Sequence, residues 1–198
     1  MSSSTTVCSD LRKEWDKYFP NRKTKKMRRI LIEKENIDPK TCSFGFPWKH
    51  DSICYNFNMP NECVTAESIG KIEDPADIET LVIGCDLEDY SFISEMVNLK
   101  QLYIYSGANI DSLRFIKELN CLRQLYITNS HITSLEPLKD LIQQRKSLYD
   151  AETEMFKRLL MLIEGICIES DKDLDGKILK DPGFYVTEII INRKRIAG

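Results

Sequence analysis

Histidine is nearly missing from this chain: His50 and His131 are the only two in 198 residues. That scarcity removes most histidine-based metal sites and most acid–base pairs. Glycine is sparse and scattered, and there is no P-loop, dinucleotide fingerprint, G-x-S-x-G or H-E-x-x-H pattern. The chain is therefore not expected to be an enzyme, and no cofactor is expected. No apolar run approaches the roughly 18–20 residues of a membrane span, so no membrane partner is expected. The opening MSSSTTVCSDLRKEW lacks the apolar stretch of a signal peptide, which points to the cytoplasm. Basic residues number 28 against 31 acidic ones, a net charge of −3, so no global attraction to nucleic acid is expected.

Disulfide spacing is absent too. Seven cysteines occur without a C-x-x-C pair, which fits buried free thiols in a reducing compartment. Cys42, His50, Cys54 and Cys63 lie close enough in sequence to be weighed as zinc ligands, but they lack the short knuckle that pins two ligands in one turn. A buried-thiol segment is the preferred reading. The basic run from Arg22 to Arg29 reads as a solvated helix face rather than a nucleic-acid site, because Glu33 and Glu35 follow and no aromatics interleave.

What the chain does have is 42% hydrophobic residues, enough for a core, and internal repetition. Three stretches open with the same apolar spacing: Ile78, Leu81, Ile83; Leu99, Leu102, Ile104; and Leu122, Leu125, Ile127. Each then continues with apolar residues about every third position, such as Ile110, Leu113, Ile116 and Leu119 in the second. The starts are 21 and 23 residues apart. Alternation across L-x-L predicts a short strand, and the later spacing predicts a helical or 3₁₀ return. Gly107, in the longer turn of the second unit, is expected to accommodate an unusual backbone angle.

These units resemble the short, 22-residue form of the leucine-rich repeat family, as in internalin-like and phosphatase-regulator-like proteins. The segment ITSLEPLKDL, from Ile132 to Leu141, is closest to the family's return segment. The asparagine usual three residues after the strand is replaced by Asp86, Gly107 and Ser130. The resemblance implies an α/β fold: a short solenoid with a parallel concave sheet, helical or 3₁₀ returns, and caps at both ends. Residues 1–77 would form the N-terminal cap, 78–143 the three repeats, and 144–198 the C-terminal cap. In the first cap, helices are expected from Asp10 to Phe19 and from Thr24 to about Lys34, and a strand from Ser52 to Met59. In the second, an amphipathic helix is expected from Ser147 to Ile163, with strands at Ile166–Ile168 and Phe184–Ile191 flanking a polar turn. A fourth repeat would begin at Arg145, where an apolar residue is needed, so the array is expected to stop there.

In such a unit the residues between the strand's leucines face the concave side, and the resemblance implies non-catalytic protein recognition there. Val82, Gln101, Tyr103, Tyr105, Gln124, Tyr126 and Thr128 are the expected contact residues, with the tyrosines exposed as rigid amphipathic anchors. The partner is expected to be a protein, and the chain a monomer or weak homodimer. Two alternatives remain open: self-assembly through the 147–163 helix, and a weak metal-binding adaptor. For the second, the segment from Asp171 to Ile178 matches the first eight positions of an EF-hand loop, but the twelfth is Pro182 rather than glutamate. A polar hairpin turn is the preferred reading of that loop.

Overall fold

The structure is a computed structural model that describes residues 27–38, 62–150, 163–179 and 188–197, the side chains of 145–150 and 197 excepted. Among the described residues, eight strands form one open sheet: β1 (Arg28–Glu33), β2 (Glu62–Thr65), β3 (Ile78–Ile83), β4 (Gln101–Ile104), β5 (Gln124–Ser130), β6 (Gly165–Ser170), β7 (Ile189–Ile191) and β8 (Lys194–Ala197). Their order across the sheet is β2-β1-β3-β4-β5-β6-β7-β8, and every pair is parallel except β7 with β8. Short 3₁₀ turns and one helix, α1 (Glu136–Asp150), make up the crossings among the described residues. The chain is an α/β protein. Among the described residues no helix is long and apolar enough to cross a membrane.

Two apolar ladders hold the sheet. On one face Ile30, Leu81, Leu102, Leu125, Ile166 and Ile189 stand side by side in register, as do Ile32, Ile83, Ile104, Ile127, Ile168 and Ile191. All twelve are buried and belong to the main core, which also takes in Ile93, Leu113, Ile116, Leu138 and Leu141 from the returns. Burying one such aliphatic side chain contributes about 1.5–3 kcal/mol. The β-branched residues are suited to the pleated surface, and three-residue spacing brings the returns back over it.

The strands extend past the three repeats on both sides. Thr24 to Lys34 was expected to be helical; of this segment the described part forms strand β1. The run Arg28–Glu33 is too short for its apolar spacing to choose between helix and strand. Pairing with β2 on one side and β3 on the other decides it. The sheet continues beyond Arg145. The crossing from β5 is long and contains α1, whose first turn has Glu136 N–H donating to Ser134 Oγ at 3.2 Å. The sheet then resumes with β6 and β7, as expected for Ile166–Ile168 and for the described end of Phe184–Ile191.

The Asp171–Gly176 segment is not a hairpin turn, because the strands on either side of it are parallel and need a crossing. It leads into a 3₁₀ turn, Gly176–Leu179, with Leu174 and Leu179 buried in the core. Gly107 keeps an ordinary backbone angle; its value is space, since a Cβ there would lie 3.2 Å from the Thr128 carbonyl to which its N–H donates. The expected strand at Ser52–Met59, the helix at Asp10–Phe19, residues 151–162 of the Ser147–Ile163 helix and Pro182 lie outside the described residues.

Polar groups link the strand ends. Asp86 Oδ1 accepts from Ser106 Oγ, and Ser130 Oγ donates to the Glu169 carbonyl at 2.8 Å. Ser170 Oγ donates to the Ile132 carbonyl at 2.9 Å, while Asn192 bridges Ser170 and Lys172. Each link joins neighbouring crossings and satisfies groups that a turn would otherwise leave open.

Candidate functional site

The opposite face of the sheet carries three rows of side chains. The middle row is a third apolar ladder: Cys63, Leu31, Val82, Tyr103, Tyr126, Cys167 and Ile190. Tyr103 and Tyr126 are register partners, as the repeat alignment requires. They are not exposed. Val82 is 0%, Tyr103 1% and Tyr126 8% accessible, and with Leu31 and Cys167 they form a second apolar cluster. The expectation of exposed tyrosine anchors at Tyr103 and Tyr126 is corrected accordingly. The strands on either side bring more apolar groups to the row than the repeats alone supply, which turns a tyrosine pair into a core. Burial pushes the Tyr103 and Tyr126 hydroxyls above their ordinary range and the Cys167 thiol up to about 12.

Polar residues flank this cluster at the strand starts. Thr80 Oγ1 donates to Gln101 Oε1 at 3.0 Å, Gln101 Nε2 to Gln124 Oε1 at 3.2 Å, and Gln124 Nε2 to Glu164 Oε2 at 2.5 Å. The Tyr103 hydroxyl also donates to Gln124 Oε1. Gln101 and Gln124 are thus a half-buried, self-satisfied chain that fixes the tyrosine beneath it.

The third row, at the strand ends, is the more varied one. Glu33, Gly84, Tyr105, Thr128 and Glu169 follow one another across β1 to β6, and all are half-buried. Gly84 N–H donates to the Ile32 carbonyl at 3.0 Å, Tyr105 N–H to the Ile83 carbonyl at 2.9 Å, and Thr128 Oγ1 to the Tyr105 carbonyl at 2.9 Å. The Tyr105 and Tyr126 rings are tilted against each other with centroids 5.4 Å apart. Burial, then the neighbouring Tyr126, pushes the Tyr105 hydroxyl up. Of the seven expected contact residues, the structure brings all to one face: Gln101, Tyr105, Gln124 and Thr128 are half-buried, and Val82, Tyr103 and Tyr126 lie within the cluster.

Glu33 and Glu164 are members of this face that the repeat alignment missed. The missing signal was in the sequence. Met27, Ile30, Ile32 and Ile163, Ile166, Ile168 repeat the same L-x-x-L-x-L spacing, and Ile166 and Ile189 are 23 residues apart.

Of the suggested zinc ligands, Cys63 is half-buried in β2 beside Leu31, and Cys42, His50 and Cys54 lie outside the described residues. Among the described residues no group of three histidine, cysteine or acidic side chains is placed to hold a metal ion. In the Asp171 loop, Asp171 is held by His131 at 2.9 Å and Lys172 at 3.2 Å, and Asp175 Oδ1 accepts from Lys177 N–H at 3.0 Å. Gly176 faces Ile196 of β8, whose Cδ1 would lie 2.8 Å from a Cβ at that position. The glycine thus has a packing role there.

Comparison with known protein families, curated proteins and solved structures gives no match for this chain.

Proposed function

We propose that the chain is a short leucine-rich-repeat-type solenoid with a segment capping each end, acting as a non-catalytic protein-recognition module. Its contact surface is the sheet face opposite the main core, taken as the concave side. The observation that carries this reading is the third row: Tyr105 and Thr128, half-buried, stand over a packed apolar cluster. A surface fixed by a core on both sides of the sheet loses little ordering entropy when a partner docks. Tyrosine adds rigid amphipathic contact area at such positions. The Gln101–Gln124 chain borders the same surface.

A photoreactive phenylalanine analogue placed at 105 tests this reading, with the same group at exposed Glu118 on a return as the control. A protein adduct formed in cells from position 105 and not from 118 supports it. Adducts from 118 alone, or from neither position, overturn it.

A further inference from the structure

The glutamates in and beside the strands share one arrangement. Glu62 has Arg28 at 2.5 Å, Glu79 has Lys100 at 2.9 Å, and Glu164 has Arg123 at 3.7 Å. Glu169 has Arg193 at 3.1 Å, and Glu188 has Arg195 at 3.4 Å. Each of these five carboxylates is matched by a cation from a neighbouring segment. Glu33 departs from the pattern: among the described residues no lysine or arginine side chain pairs with it.

Its position explains how it lies. Position 84, just past the end of β3, is glycine, and the Glu33 carboxylate occupies the space a side chain there would need. The carboxylate therefore rests on the sheet in the third row, which two strands further on holds half-buried Tyr105. Partial burial pushes its pKa up, opposed by the Lys34 backbone N–H. A half-desolvated carboxylate without a counter-charge costs stability where it sits, and a docking cation would repay that cost.

We propose that Glu33, seated over Gly84, is the anchor for one cationic side chain, lysine or arginine, of the protein partner. The inference rests on the recognition reading above and gives it a charge. The occupant follows from complementarity: the seat offers one negative group whose oxygens only accept hydrogen bonds, and a lysine or arginine brings the opposite charge and the donors.

The test titrates the full chain with N-acetyl-arginine methylamide and with its uncharged citrulline counterpart, following the Glu33 carboxyl signal by NMR. The arginine compound should shift that signal, and the citrulline one should not. Glu33→Gln should weaken binding roughly fivefold, the scale of one partly exposed ion pair. Gly84→Ala, which leaves the charge but evicts it from its seat, should weaken it as well. Equal shifts from both compounds, no shift, or unchanged binding by Glu33→Gln overturn the proposal. Photocrosslinking from 105 in the Glu33→Gln chain separates the two readings. Adducts as strong as in the parent chain leave recognition standing without the anchor, whereas none from the parent chain ends the recognition reading itself.

Discussion

Single residues in this protein owe their identity to the neighbour they admit. Gly84 admits a carboxylate, and Gly176 admits the Ile196 side chain of β8. Gly176→Ala must push an aliphatic group against its own strand, so a loss of about 1–2 kcal/mol is expected in urea unfolding. Because that glycine serves packing, added calcium should leave the unfolding midpoint of the parent chain unchanged; a rise at millimolar calcium would restore the EF-hand reading. Glu33 makes an opposite prediction. Its folded pKa lies above its unfolded value, so its contribution is favourable at low pH and is lost as pH rises through the folded value. Glu33→Gln should therefore be at least as stable as the parent chain at pH 7, with the difference shrinking at pH 4.

Among the elements, the two outermost parallel strands at one edge are clamped by charge and the central ones by side-chain hydrogen bonds. Arg28 reaches from β1 to both carboxylate oxygens of Glu62 in β2, at 2.6 and 2.5 Å, and holds that acid below its usual range. Between β4 and β5 the same task falls to Tyr103, Gln101 and Gln124. Tyr103→Phe removes the hydroxyl and leaves the ring, so about 1 kcal/mol should be lost. Tyr103→Ala opens a cavity in the second cluster and should cost about 3–5 kcal/mol. Tyr105→Ala, half-buried in the third row, should cost much less, and under the proposed recognition role it should weaken partner capture. Equal losses at 103 and 105 would show that the third row is structural as well.

Across the whole molecule, the ladders make the outer strands as much a part of the core as the repeats. Ile104→Ala in β4 and Ile168→Ala in β6 should each cost about 2–5 kcal/mol, since both side chains are wholly buried in one cluster. A small loss at 168 alone would mean that β6 is an appendage. The second cluster also sets an alkaline limit. Cys167, Tyr103, Tyr105 and Tyr126 all titrate higher in the folded state than in a free chain. They favour folding below the unfolded values, near 8.5 for cysteine and 10 for tyrosine, and that support is lost as pH rises through the folded ones. Unfolding midpoints should fall steeply above about pH 9. The buried thiols of Cys85 and Cys167 should resist alkylation until the chain unfolds.

The sequence by itself determined what is periodic. Three strands, their parallel register and the 3₁₀ returns follow from apolar spacing, and so does the pairing of Tyr103 with Tyr126, because a repeated spacing can be satisfied only by stacking one unit on the next. It also held, unread, the same spacing at Met27–Ile32 and Ile163–Ile168, hidden by a helix-compatible apolar run in one case and a long crossing in the other. Only the tertiary structure decided what depends on neighbours distant in the chain. Leu31 and Cys167 arrive beside the tyrosines from strands far apart in sequence and turn an expected surface into a second core. Glu33 meets Gly84 across some fifty residues, and no local pattern marks either as the other's partner. Periodicity is a property of one segment, whereas burial and charge pairing belong to whichever segments the fold brings together.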